Sequence, residues 1–344
     1  MTKENTSRRV LFHRYFTVYN GGTSGGQIKV RDSFEHLRAS KKFVPKVFFN
    51  PQTVWFDNPG NVWHRYKESS DEIKEWTPAL NDIMFFAGVD WMILSPADRI
   101  KPPTPIVNIA HPRHIRPEDK RHAYLQHPAI RITKSSLSKK LLDEYGVNGP
   151  VFVIPDAVDP ADFPAINDMP NVDVLIVGLK NPPLAKRLYR KLRWKSFIKA
   201  RNLNIKLQVP PKLPTRNDFL DLVNSASIVV CLPLEANKGA EGFYLPALEA
   251  MVLQKLVICP FAVGNVDFCI HEKTCLMPEY NEERIMEAIE QALKMTASDR
   301  KKIISQATEI TKNHMIDNER KALIELVDQV DDLWQTHFPG LVHR

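Results

Sequence analysis

The chain is poor in cysteine and has no long apolar run. Cysteine occupies only four of its 344 positions, 231, 259, 269 and 275. None forms a CxxC pair and three lie in apolar, strand-like surroundings, which excludes a disulfide framework or zinc cluster and points to reduced structural thiols. The densest apolar stretch, IMFFAGVDWMIL, is too short to span a bilayer and contains Asp90. The polar opening MTKENTSRRV lacks the apolar segment of a secretion signal, so a cytoplasmic location is expected. Also missing are an Asp-x-Asp element, HExxH, GxSxG and a G-x-G-x-x-G after a strand, which argues against a tightly held metal, a hydrolase elbow and a nicotinamide cofactor. The glycine loop YNGGTSGGQIKV fits a P-loop at Gly21 and Gly26, but Gln27 and Ile28 stand where Lys and Ser or Thr are needed.

What is present is the composition of a folded protein, 43% hydrophobic and 25% charged. At roughly 150 residues per domain the length favours two domains. A formal charge of +7 and a pI near 9.1 favour anionic partners. Runs rich in Val and Ile recur with amphipathic segments between them: RRVLF, KVFFN, DWMILS, PIVNIA, IRIT and VFVIP, then DVLIVG, KLQVP, SIVVCLP and KLVICP. This alternation predicts an α/β protein with parallel sheets covered by helices. DAVDPADFPAINDMPN interrupts the pattern as a linker would. It divides an expected first domain, 1–168 with the linker from about 155, from a second, 169–318. ALIELVDQVDDLWQTHF puts Leu323, Leu326, Val330, Leu333 and Phe338 on one helical face. A C-terminal helix over 319–344 is therefore expected to pack back on the first domain.

AEGFYLPALEAMVLQKLVICP reads as loop, helix and strand, with Pro246 suited to the first helical turn. Backbone N–H groups from Tyr244 to Ala247 would then lie unpaired at a helix start, where the dipole favours an anion such as a diphosphate. Glu241 precedes this helix and Glu249 lies one turn inside it. A carboxylate matches the vicinal hydroxyls of a ribose or hexose.

With Gly242, Phe243, Leu245-Pro246 and Leu248-Glu249-Ala250-Met251, this segment resembles the Glu-x7-Glu motif of retaining GT-B glycosyltransferases (glycosyltransferase family 4-like, glycosyl transferases group 1). ITKSSLSKKLLDEYGV, VFVIPDAVD, VDVLIVGLKNPPLAKRL and FAVGNVDFCIHEKTCLMPEYNEERIMEAI extend the likeness, although Gly264-Asn265-Val266-Asp267 stands where the family has a paired glycine and Pro-Glu. The resemblance implies two Rossmann-like domains with parallel sheets facing a central cleft, and transfer of a hexose with retention from a nucleoside diphosphate sugar, UDP- or GDP-linked, without metal, to a carbohydrate or lipid-linked acceptor. It implies Glu249 on the ribose diol, Glu241 on the hexose hydroxyls, and Gly242, Phe243, Tyr244 and Leu245 along the diphosphate. It further implies Lys180, Lys186 and Gly178 beside the leaving group, Gly25 and Gly26 near the donor phosphate, and His111 on the donor sugar, with His114 as the runner-up. The alternative is a catalytically silent GT-B protein that binds a sugar nucleotide or carbohydrate as an interaction module. Nothing in the sequence carries a nucleic-acid signature.

AKRLYRKLRWKSFIKARN holds eight basic residues and no acid. It is expected to be a solvated helix with Leu188, Leu192 and Phe197 inward, the alternative being a face docked on anionic lipid or polymer.

Overall fold

The apolar runs form two all-parallel sheets. In the first, β1 (Arg8–Arg14), β2 (Phe43–Phe49), β3 (Ile83–Ala87), β4 (Ile106–Ile109), β5 (Ile130–Thr133) and β6 (Val151–Val153) lie in the order β2-β1-β3-β4-β5-β6. In the second, β7 (Val172–Val177), β8 (Ile205–Gln208), β9 (Ala226–Cys231) and β10 (Leu256–Ile258) lie in the order β10-β9-β7-β8. Such strands are covered on both faces, so they read as continuous Val and Ile rather than as an alternation. Val10, Leu11 and Phe12, successive residues pointing to opposite faces, are all fully buried. The register is fixed by pairs such as Val10 with Ile83 and Val177 with Cys231.

The helices are α1 (Gly25–Ala39), α2 (Pro96–Ile100), α3 (Ser136–Tyr145), α4 (Pro182–Ile198), α5 (Arg216–Asn224), α6 (Leu245–Val252), α7 (Glu282–Lys294), α8 (Ala297–Thr311), α9 (Ile316–Asp328) and α10 (Val330–His337). This computed structural model describes residues 7–16, 25–55, 61–235 and 240–341. The chain divides into one unit of residues 1–133, 139–154 and 319–344 and a second of 134–138 and 155–318. The fold is α/β, with a parallel sheet in each unit.

Three elements differ from the expectations. DWMILS is not a strand: Asp90–Ile93 is a 3-10 turn, and the strand is the preceding Ile83–Ala87. Asp90 is the reason, because its carboxylate accepts from the Ala87 N–H at 2.8 Å and ends the strand there. The C-terminal segment is two helices broken at Gln329, not one, and Trp334 is the more deeply buried neighbour of Leu333. Leu323, Leu326, Val327, Val330, Trp334 and Phe338 nevertheless join the core around the first sheet. A buried ion pair of 2.7 Å between Lys29 on α1 and Glu319 on α9 adds to this packing. Finally, Phe197 does not face inward. Leu184, Ala185, Leu188, Leu192 and Ser196 set the buried face of α4, and Phe197, five residues beyond Leu192, falls well off that line.

Candidate functional site

In parallel α/β units ligands gather at the carboxyl ends of the strands. At that edge of the second sheet, β7 runs into Gly178, Leu179 and Lys180, and Asn181 then caps α4 by accepting from the Leu184 N–H at 3.3 Å. Gly178 is required by packing, since a Cβ there would sit 2.1 Å from the Ala185 Cβ. The strand can therefore enter its helix only at a residue without a side chain.

The segment after β9 carries Glu241, whose Oε1 accepts from the Leu234 N–H at 3.3 Å and faces the Lys180 ammonium at 3.5 Å. Glu249 projects from the second turn of α6 and is only 5% exposed. Its Oε1 lies 3.1 Å from Arg216 Nη2. Burial raises the Glu249 carboxyl above its ordinary range, and the charge of Arg216 and the hydrogen bond from it act in the opposite sense. Arg216 begins α5, where Thr215 and Asp218 cap each other's N–H groups. Its guanidinium also stacks over Phe163 at 5.9 Å. Each of the two glutamates thus already faces a cation, one on either side of the start of α6.

The start of α6 has no side-chain cap, and Pro246 lies in its first turn. One of the N–H groups expected to be unpaired is not: Ala247 donates to the Tyr244 carbonyl at 3.3 Å, a tight first turn that leaves only the groups before it for an anion. The side chains of Phe243 and Tyr244 are both engaged in packing. Phe243 packs on Phe268 and His314 with ring centres 5.2 and 5.5 Å away. Tyr244 is buried in the core of the second unit, where burial raises its phenol well above the ordinary value. Gly242 and Tyr244 are buried, and Phe243 and Leu245 are partly buried.

Lys186 stands on the exposed side of α4, and among the described residues no hydrogen bond or ion pair joins it to Lys180 or Glu241. Gly25, Gly26 and His111 belong to the first unit. Gly25 and Gly26 open α1 on its exposed side, and a Cβ on either would meet nothing within 4 Å. Packing among the described residues therefore does not demand glycine there. Gly21 and Gly22 lie outside the described residues. His111 follows β4 and caps a 3-10 turn, its Nδ1 accepting from the Arg113 N–H at 3.0 Å. His114 is buried, and desolvation, followed by the charge of Arg121, lowers it well below the ordinary histidine value.

Between β1 and β3, at the same edge of the first sheet, lies a buried cluster that was not singled out from the sequence. The Arg14 guanidinium pairs with Asp90 at 2.8 Å and donates to the Gln27 side chain, while the Gln27 carbonyl accepts from Trp63 Nε1 at 3.2 Å. Gln27, the residue that breaks the P-loop pattern, is thus a buried acceptor for an arginine. Burial lowers His13 to about 3, with Arg14 adding to the effect, so its imidazole is neutral.

Two further residues that shape the second-unit edge were not picked out as site residues. Arg216 is one. The other is Gly264, where a Cβ would lie 2.4 Å from both Gly242 C and Phe243 N, so the turn after β10 presses directly on the Glu241 segment. Asn265 builds this turn, accepting from the Ala262 N–H and donating to the Pro260 carbonyl, each at 3.0 Å. Gly264→Ala is expected to lower the unfolding free energy by about 1–3 kcal/mol, the usual range for overpacking. A wild-type urea midpoint would show instead that the segment yields freely. The four cysteines are all buried and free. Among the described residues no group of three His, Cys, Asp or Glu side chains is placed to ligate a metal.

Residues 162–310 match the family described as Glycosyl transferases group 1, a stretch inside the second unit. No curated protein matches the chain. Solved structures share its fold at low identity. The HepE protein of Anabaena, crystallised with UDP-glucose, is 13% identical with a TM-score of 0.67, over 93% of this chain and 99% of that one. Sucrose-phosphate synthase of Thermosynechococcus elongatus is 13% identical with a TM-score of 0.63, over 94% of this chain and 98% of its own. A glycosyltransferase of Rickettsia africae is 14% identical with a TM-score of 0.61, over 94% and 99%. The chain thus has the GT-B fold of these structures, and its residues 162–310 are similar to the Glycosyl transferases group 1 family.

Proposed function

We propose that the protein transfers a hexose from a nucleoside diphosphate sugar to a hydroxyl acceptor, with retention of anomeric configuration and without a metal ion. The observation that carries this reading is the pair of glutamates, each facing a cation, on either side of the uncapped start of α6. A sugar nucleotide has two diols separated by a diphosphate, and this edge offers carboxylate, helix N-terminus and carboxylate in that order. Glu249 takes the ribose hydroxyls and Glu241 those of the hexose. The backbone from Gly242 to Leu245, together with Lys180 and Lys186, stabilises the negative charge that grows on the leaving diphosphate. For Gly25, Gly26 and His111 the reading keeps the roles the resemblance implies. The UDP-glucose held by the Anabaena protein of the same fold favours a UDP donor over a GDP donor.

Lys180 has a defined part in this chemistry. Its ammonium faces Glu241 at 3.5 Å, and in this reading it turns to the diphosphate when the donor enters. Hydrogen bonds to a charged group are worth about 1.5–3 kcal/mol. Glu241→Ala is accordingly expected to lower kcat at least tenfold while leaving the dissociation constant of the bare nucleoside diphosphate near that of the wild type. Wild-type turnover in this variant, or an equal loss of nucleotide affinity, would remove Glu241 from the hexose end of the site.

A further inference from the structure

Helix α4 carries an exposed stripe that the proposed transfer reaction does not use. Its core face is set by Leu184, Ala185, Leu188, Leu192 and Ser196. On the other side Arg190, Arg193, Trp194 and Phe197 recur at spacings of three and four, Ile198 ends the helix and Arg201 continues the run past it. Trp194 is 65% exposed, Phe197 84% and Ile198 58%. Single exposed apolar side chains are ordinary, but three large ones within five residues at one helix end are not.

The charges beside them divide into two sets. Arg187 and Lys191 both pair with Glu282, and Lys195 and Lys199 both pair with Glu290, so α7 neutralises that flank. Arg190, Arg193 and Arg201 have no acidic partner among the described residues. Arg190 reaches only the Lys186 carbonyl, at 3.4 Å, and Arg193 lies over the Tyr189 ring at 5.6 Å. The uncompensated cations are therefore those that share the stripe with the exposed aromatic residues. A fourth exposed apolar side chain, Met169 at 88%, lies two residues before Asn171, whose carbonyl accepts from the Asn204 side chain just beyond this helix end.

We propose that this stripe docks the protein on the surface of an anionic lipid bilayer. Trp194, Phe197 and Ile198 require an apolar phase, and Arg190, Arg193 and Arg201 require anions in the plane bordering it. A bilayer interface supplies both within about 5–10 Å of depth. Trp favours that interface, where its ring is buried and its N–H stays hydrated. A nucleic acid would match the cations but leave Phe197 and Ile198 in water, and a second copy of the chain would set like charges against each other. Among the described residues no helix is long and apolar enough to cross a membrane.

The inference is independent of the transfer reading and is tested without it. The purified full chain is floated with vesicles of phosphatidylcholine alone and with phosphatidylglycerol added. The wild type is expected to float with the anionic vesicles only, and less so as salt rises. Trp194→Ser combined with Phe197→Ser should reduce partitioning at least tenfold, from the apolar area lost. Arg190→Gln combined with Arg193→Gln should reduce it on the order of thirtyfold, since each cation near the surface is worth about fivefold. All four side chains are exposed, so the thermal unfolding midpoint should stay at the wild-type value in both variants. Flotation with neither vesicle type, equal flotation with both, or wild-type flotation of the two folded variants would overturn the proposal. Retention of a single-stranded oligonucleotide without vesicle binding would also overturn it and assign the stripe to nucleic acid.

Discussion

Asp90→Ala is expected to destabilise the protein by about 3–5 kcal/mol at neutral pH, the range for removing one partner of a buried ion pair. Arg14, 3% exposed, would be left with a charge that Asp90 now meets at 2.8 Å. Gln27 could not replace it, because an amide oxygen offers a hydrogen bond without a counter-charge. Combining Asp90→Leu with Arg14→Met should recover most of the loss, since apolar replacement of a whole buried pair is often neutral. Urea unfolding of the three proteins reads both effects, and a single variant with wild-type stability would show that the pair is hydrated. The same carboxyl sets a pH dependence. Burial pushes Asp90 up to about 6, against the pull of Arg14, from an unfolded value of 3.8. The folded chain therefore holds this proton over a range in which the unfolded chain has released it. The stability added by this bound proton, separate from the ion pair that the ionised carboxylate makes with Arg14, is fully present below pH 3.8 and is lost as the pH rises through about 6, and that slope should vanish in Asp90→Ala.

Glu249→Ala is expected to weaken nucleoside diphosphate binding about a hundredfold, because two hydroxyl hydrogen bonds to one charged, buried carboxylate are lost together. Arg216→Ala should act through that carboxylate with a distinct signature. Glu249 is raised by burial and held down by Arg216, so removal of Arg216 moves its protonation to higher pH. A protonated Glu249 accepts less strongly, and nucleotide affinity in Arg216→Ala should therefore fall toward acid at a higher pH than in the wild type. Calorimetric titration across pH separates this from a role in packing, which would lower affinity equally at every pH. If Glu249→Ala bound nucleotide as the wild type does, the ribose end of the site would have to lie elsewhere.

Much of the fold was readable because buried parallel strands leave an unbroken apolar run, as in DVLIVG and SIVVCLP, whereas turns and faces depend on single contacts. DWMILS is as apolar as the true strands. What makes it a turn is the Asp90 carboxylate, bonded to the Ala87 N–H and to an arginine on β1, and composition does not show those contacts. Phe197 looks like a core residue by type, but its position on the α4 wheel leaves it in solvent. The break at Gln329 is equally invisible in the spacing of Leu326, Val330 and Leu333.

For the candidate site, spacing and local sequence bring out Glu241, Glu249 and Pro246, because a loop followed by a helix start is a local event. The cations facing those glutamates are not local. Arg216 meets Glu249 from a different helix, and no pattern near either residue announces the pair. Gly264 was visible only as a departure from the resemblance. Its reason, contact with the Gly242–Phe243 peptide, belongs to the folded chain.

The measurement that bears most directly on the nucleotide-sugar reading is a thermal-shift titration of the purified chain with UDP, GDP, ADP, CDP and TDP and their common sugar conjugates, without added metal. A ligand present at about 100 times its dissociation constant stabilises the native state by about 2.7 kcal/mol. One nucleotide, UDP first, is expected to raise the unfolding midpoint, and the shift should be lost in Glu249→Ala. A folded protein whose midpoint no member of the panel moves would contradict that reading.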